Sequence, residues 1–149
     1  MKRTLFALCL LASAAVSADP IQVLTSPEHE KAQLPFSEAV IAGGLIFLSG
    51  QIAAKPGTVE LVTGGIQAET RQVMENIKSV LERHGSNMDD VAKCTVFIRD
   101  MSQWPAMNEV YVSYFPNHKP ARSAVGASGI ALGGAVEIEC IAALREESR

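Results

Sequence analysis

The run Ala135–Leu144, AVEIECIAAL, alternates residue by residue and predicts the last strand of the chain. Side chains two apart in a strand share a face, so Glu137, Glu139, Ile141 and Ala143 line one side of it. An apolar face that also carries two carboxylates should be covered. What is available to cover it is decided by the rest of the chain.

Working back from this strand, Gly126–Gly134 is a glycine-rich stretch that predicts a flexible connection, and Ala121–Val125 a short strand. Ser102 is a candidate helix cap, with Pro105 tolerated in the first turn that follows. Trp104, Met107, Val110, Tyr111, Tyr114 and Phe115 form the apolar side of that helix, a stripe that reads mainly as core packing. Val91–Arg99 (VAKCTVFIR) is rich in β-branched residues and predicts a strand. Ile66–His84 is the clearest helix: Ile66, Val73, Met74, Ile77, Val80 and Leu81 fall on one face, and Gly85 ends it. Ala53–Gly65 reads as a loop, and Ala39–Ile41 and Leu45–Leu48 as a hairpin turned at Gly43-Gly44. Residues 19–35, broken by Pro20, Pro27 and Pro35, read as an irregular arm. The expected class is α+β, with a mixed sheet and both helices on one face. No third helix is predicted for the other face, so self-association is the economical cover.

The first segment has the parts of a secretory signal. Lys2 and Arg3 precede the apolar run Leu5–Ala12, and Val16-Ser17-Ala18 supplies small residues for cleavage. The run is too short for a membrane span, which needs about 20 apolar residues. The expectation is a signal peptide at 1–18, cleavage before Asp19, one domain over 19–149, a periplasmic or secreted location and no membrane contact after cleavage. The leader holds two positive charges and no negative ones, so the net charge falls from −3 for the chain to −5 without it. An acidic domain without a basic run is a poor partner for nucleic acid. Cys94 and Cys140 both lie in strand-like runs. They pair only if adjacent in one sheet, and two buried free thiols are the favoured reading. His29, His84 and His118 are scattered, and no metal-ligand spacing occurs.

Two groups are candidates for chemistry. Arg122, stiffened by Pro120, points away from Ala121 and Ser123 and is able to grip a carboxylate with two parallel hydrogen bonds. On spacing alone, a surface arginine or a structural ion pair is the favoured reading. Glu137, beside Glu139 and apolar residues, is a candidate proton shuttle, and a salt-bridged or solvated glutamate is the plainer alternative. The glycine-rich stretch lacks a phosphate-binding pattern, and no serine or cysteine nucleophile set stands out.

Several spaced motifs resemble one family. Ser49-Gly50-Gln51-Ile52 follows a hydrophobic strand, Asn108-Glu109-Val110-Tyr111 sits in a helix, and Pro120-Ala121-Arg122-Ser123 precedes Val136-Glu137-Ile138-Glu139. Together, from about Ile21 to Leu144, they resemble the RidA/YjgF family of enamine/imine deaminases. The resemblance implies a chorismate-mutase-like fold, a homotrimer whose bare sheet faces pack into a central barrel, and sites between subunits. It implies hydrolysis of small 2-imino acids to 2-oxo acids and ammonia, with no cofactor and no metal. It implies that Arg122 binds the substrate carboxylate and Glu137 positions or activates the water. Asn108 would line the cleft, and Ser49, Gly50 and Gln51 would lay backbone against the ligand. Phe36 stands where the family often has a tyrosine beside the ligand, and Ala124 where it often has a cysteine. Those two departures suit an alternative, an exported trimer that binds a small carboxylate without turning it over. Activity on RNA, ascribed to some relatives, fits neither the acidic balance nor export.

Overall fold

The computed structural model describes residues 20–145. The leader expected at 1–18 lies outside them. Strands β2 (Ala39–Ala42) and β3 (Leu45–Leu48) form the hairpin, with Ala42 opposite Leu45. Gly43 and Gly44 both take positive φ (57° and 75°). That is the backbone of a two-residue turn whose twist matches the strands, and a side chain at either position would resist it.

Helix α2 (Gly65–Arg83) buries Ile66, Val73, Met74, Ile77, Val80 and Leu81, the face its spacing predicts. It ends where Gly85 turns to φ 79° and the Ser86 N–H donates to the Leu81 carbonyl at 2.9 Å, a Schellman closure. Helix α3 (Trp104–Ser113) starts later than expected. The cap is Asp100 rather than Ser102: its carboxylate accepts from the Ser102 N–H (2.9 Å) and begins a single 3-10 turn, Met101–Gln103, that leads into α3. Asp100 offers a charged acceptor to the exposed N–H groups, a stronger bond than a hydroxyl makes.

The N-terminal arm is not irregular. Strand β1 (Gln22–Leu24) pairs antiparallel with β2, and Ser26 caps a one-turn helix α1 (Pro27–Lys31), accepting from the His29 N–H. Three residues are too few to show alternation, and Pro27 is the first residue of α1 rather than a break in structure.

Strands β5 (Val91–Ile98) and β7 (Val136–Ala143) form the longest ladder, and β6 (Ala121–Gly126) runs parallel to β5 at the sheet's edge. The parallel pair requires a crossover, which α3 supplies. The sheet order is β1-β2-β3-β7-β5-β6, with the two-residue β4 (Gln51–Ile52) following β3 along the same edge of β7. The chain is thus an α+β domain with a mixed sheet. Ile46, Leu48, Val96, Ile98, Ile138 and Ala142 face α2 and α3 and, with Met74, Ile77, Leu81 and Phe115, form the core.

Cys94 and Cys140 are direct partners on β5 and β7, each 1% exposed, and they are joined as a disulfide across 46 residues of chain (Cα–Cα 4.1 Å). This overturns the expectation of free thiols. The register of two distant strands brings them opposite one another, and sequence separation carries no trace of it. The glycine-rich connection is also more fixed than expected. Arg99 donates to the Gly133 carbonyl, and the Glu69 carboxylate accepts from the Ala135 N–H at 2.6 Å.

Among the described residues, none covers the other face of the sheet. Val23, Val40, Phe47 and Ile141 are register neighbours across it, as are Ile52, Glu137, Phe97 and Val125. Val23 is 65% exposed and Val125 46%.

Closing a loop of this length constrains the unfolded chain, so replacing both cysteines (Cys94→Ala/Cys140→Ala) is expected to cost about 2–4 kcal/mol. Urea denaturation beside the wild type measures it. Alkylation of unreduced, denatured protein followed by mass spectrometry should label neither Cys94 nor Cys140.

Candidate active site

The candidate residues fall into two groups on opposite faces of the sheet. Arg122 pairs in register with Cys94, and so faces the helices. There Arg122 Nη1 donates to Asn108 Oδ1 at 2.7 Å. Its guanidinium carbon lies 4.7 Å from the Tyr111 ring centre and 5.3 Å from that of Trp104. Arg122, Asn108 and Tyr111, with Pro105, Val112 and Lys119, line an open cleft of about 650 Å³. Lys119 is turned back on the chain, donating to the Phe115 carbonyl at the end of α3.

Glu137 belongs to the uncovered face, where its register neighbours are Ile52 and Phe97. The strand edge above it is shaped to receive the carboxylate. Phe47 pairs with Ile141 and Gln51 with Ile138, so four steps along β3–β4 oppose three along β7. The extra residue is a bulge at Ser49-Gly50, a device that re-aims side chains beside a site. A Cβ on Gly50 would collide with Glu137 Oε1 and stand 2.9 Å from its Cδ. Glycine is therefore what lets the carboxylate lie against the main chain.

Phe36 joins this second group through the backbone. The Ser49 hydroxyl donates to the Ser37 carbonyl at 2.6 Å, and the Ser49 N–H to the Glu38 carbonyl. Phe36 is itself 51% exposed, edge-on to the His29 ring at 5.4 Å. Glu38, 8% exposed, ties the segment to the end of α2: Arg83 donates to it at 2.7 Å, and His84 lies 3.2 Å from its other oxygen. Gln51 is placed differently from its neighbours. Its partner Ile138 is a core residue, so its side chain turns to the helix side, into a separate cleft shared with Asn76 and Arg83. Only the backbone of Gln51 remains beside Glu137.

Burial of Glu137 pushes its carboxyl above the usual glutamate range, and the charge of Glu139 on the same face adds to the rise. A carboxyl so shifted is better placed to accept and return a proton near neutral pH. Among the described residues, no group of three His, Cys, Asp or Glu side chains gathers as a metal site.

Sequence reasoning read the stripe holding Trp104 and Tyr111 mainly as core, which holds for Tyr111 and not for Trp104, and it missed both as neighbours of Arg122. The available signal was their spacing with Asn108. Positions i, i+4 and i+7 of a helix form one stripe. It also missed Glu38, whose partners lie 45 and 46 residues away.

Residues 27–144 match the family model described as endoribonuclease L-PSP. A 2-iminobutanoate/2-iminopropanoate deaminase from Dermatophagoides farinae is 39% identical over 122 residues, 82% of this chain and 95% of that protein. A Rid-family protein of unknown function from Yersinia pestis has a similar structure, with a TM-score of 0.78 and 36% identity over 84% of this chain and all of that one. TdcF of E. coli, solved with bound serine, matches with a TM-score of 0.70 and 34% identity, over 75% of this chain and 90% of that one.

The Glu137 carboxyl should titrate above the ordinary glutamate value in a carboxyl-carbon NMR titration. Glu139→Gln should bring its midpoint down, because removing the neighbouring negative charge makes ionisation easier. A Glu137 midpoint that does not respond to that substitution would contradict the assigned cause.

Proposed function

The chain belongs to the RidA/YjgF family, the family of the endoribonuclease L-PSP model, and from that membership we propose that it hydrolyses small 2-imino acids or enamines to 2-oxo acids and ammonia. The observation that carries this reading is the pairing of chemistries. An arginine is braced by an amide and two rings, and a carboxyl with a raised pKa lies in a groove that only glycine leaves open.

Each residue has a definite task. Arg122 takes the substrate carboxylate through two parallel N–H bonds and so fixes the position of the imine carbon. Glu137, as carboxylate, holds a water and removes one of its protons as the oxygen attacks the carbon of the protonated imine, C=NH2+. The tetrahedral product carries a hydroxyl and an amino group. Glu137 returns that proton to the nitrogen, ammonia leaves, and Glu137, again a carboxylate, takes the hydroxyl proton as the carbonyl forms and passes it to solvent. The imine carbon is already electrophilic, so positioning and one proton relay are sufficient. Phe36 and the Ser49-Gly50 backbone would border the ligand, with Asn108 keeping Arg122 in place.

A single chain does not complete this site, since Arg122 and Glu137 lie on opposite faces of its sheet. We propose a homotrimer in which the uncovered faces of three copies pack together and each cleft joins Arg122 of one copy to Glu137 of the next. Exposed Val23, Phe47 and Val125 on that face support it, because such a patch is normally buried against a partner.

Export is the third part of the proposal. The leader at 1–18 supports it, and so does a disulfide between two strands of the core, a bond typical of oxidising compartments. The substrate would then be an imine formed outside the cytoplasm. The acidic balance weighs against RNA as a ligand.

A second reading has specific support. Phe36 offers no hydroxyl to a ligand and Ala124 no thiol, which suits capture of a small carboxylate without turnover. The serine bound to TdcF is a ligand of that size.

The test is an imine-hydrolysis assay in which an amino acid oxidase generates a panel of imino acids. Arg122→Ala should lower kcat/KM by about a hundredfold or more, as loss of a charge-assisted bidentate contact implies, with oligomeric state unchanged. Unchanged turnover in that variant overturns the assignment. Tight calorimetric binding of 2-oxo acids with no turnover by the wild type selects the second reading. Subunits of Arg122→Ala and Glu137→Gln, each inactive alone, should recover about a quarter of wild-type activity when refolded together at random. That follows because each mixed ring of three restores one site.

A further inference from the structure

Along α3, Trp104, Asn108 and Tyr111 occupy one stripe at i, i+4 and i+7, and all three contact Arg122. An aromatic ring attracts a guanidinium through its face, and the plane of the cation is then set by the ring. Asn108 takes one edge of the cation through Nη1, so the remaining N–H groups are the ones left for a ligand.

We propose that Trp104 and Tyr111 are positioning residues for Arg122, an aromatic clamp that presents the free edge of its guanidinium to the substrate carboxylate. This rests on the reading of Arg122 given above and adds to it two residues that make no contact with the reacting atoms.

One observation separates Trp104 from ordinary core packing, and a second bears on the ring of Tyr111, which is a core residue and lies against Arg122 as well. Trp104 is only half-buried and contributes nothing to the buried core, in contrast with Met107 and Phe115 of the same segment. Tyr111 is buried to 5% exposure, yet its hydroxyl has no hydrogen-bond partner among the described residues. A buried hydroxyl without a partner is unfavourable by itself, so the feature of Tyr111 in use here is its ring. Burial also pushes its phenol up to about 12, and it stays neutral at any working pH. The cation is thus held by neutral ring faces and one amide, and among the described residues no carboxylate forms an ion pair with it; Glu109, in the same cleft, is hydrogen-bonded to Gln67.

Trp104 is the single tryptophan of the chain, so the clamp carries its own reporter. Indole fluorescence should change saturably as 2-oxobutanoate is added, with a midpoint equal to the calorimetric Kd, and Arg122→Ala should abolish the change. In the imine assay, Trp104→Leu should raise KM about tenfold, as loss of one cation–ring contact implies, with kcat within about twofold of wild type. Trp104→Phe should restore KM to near the wild-type value, since it returns a ring. Tyr111→Phe should leave KM within about twofold, because the ring is kept. A purely structural role would lower the melting temperature of Trp104→Leu and leave KM alone.

The clamp is overturned if Trp104→Leu binds and turns over like the wild type, if the Leu and Phe variants have the same KM, or if fluorescence is unmoved at calorimetric saturation. The reading of Arg122 survives each of those outcomes. A wild-type protein that neither binds 2-oxo acids nor hydrolyses imines overturns both.

Discussion

The structure depends on one strand with two unlike faces. Val136–Ala143 pairs with β3, β4 and β5, and period-two alternation divides its side chains between two environments. Val136, Ile138, Cys140 and Ala142 are buried under the helices. Glu137, Glu139, Ile141 and Ala143 are turned the other way. A slip of one residue would put two carboxylates in the core and the disulfide cysteine outside it. The hydrophobic face, the Cys94–Cys140 bond and the aim of Glu137 are therefore one constraint.

That constraint also divides the candidate site. The parallel pairing of β6 with β5 puts Arg122 in the layer of Cys94, beneath α3, while Glu137 is held on the sheet's far side. In the proposed trimer a second copy of the chain brings the two groups together and covers the apolar face as well. Under that proposal, burial of the face and completion of the site are one event, coupling stability to activity.

Much of this was legible in the residues. The hairpin, α2, β5 and β7 were readable because each carries a strong local signal: paired glycines in a turn, a 3.6-residue stripe, β-branched runs, strict alternation. The short elements were not. A three-residue strand and a one-turn helix have too few residues to show a period, and they are held by β2 and by a cap rather than by their own preference. The 3-10 turn ahead of α3 was hidden for a similar reason, since Asp100 and Ser102 are both good caps and only backbone geometry separates them.

The sequence by itself determined the helices, the long strands, the one-sided core and, through spaced motifs, the family. These follow from local periodicity and from residue types, which a linear text contains. Only the tertiary structure decided which distant residues meet: Cys94 with Cys140, Gly50 with Glu137, Glu38 with Arg83 and His84, and Arg122 with two rings of α3. Register and crossover set those meetings. Both are minima of the whole fold's packing, and no short window of sequence contains them.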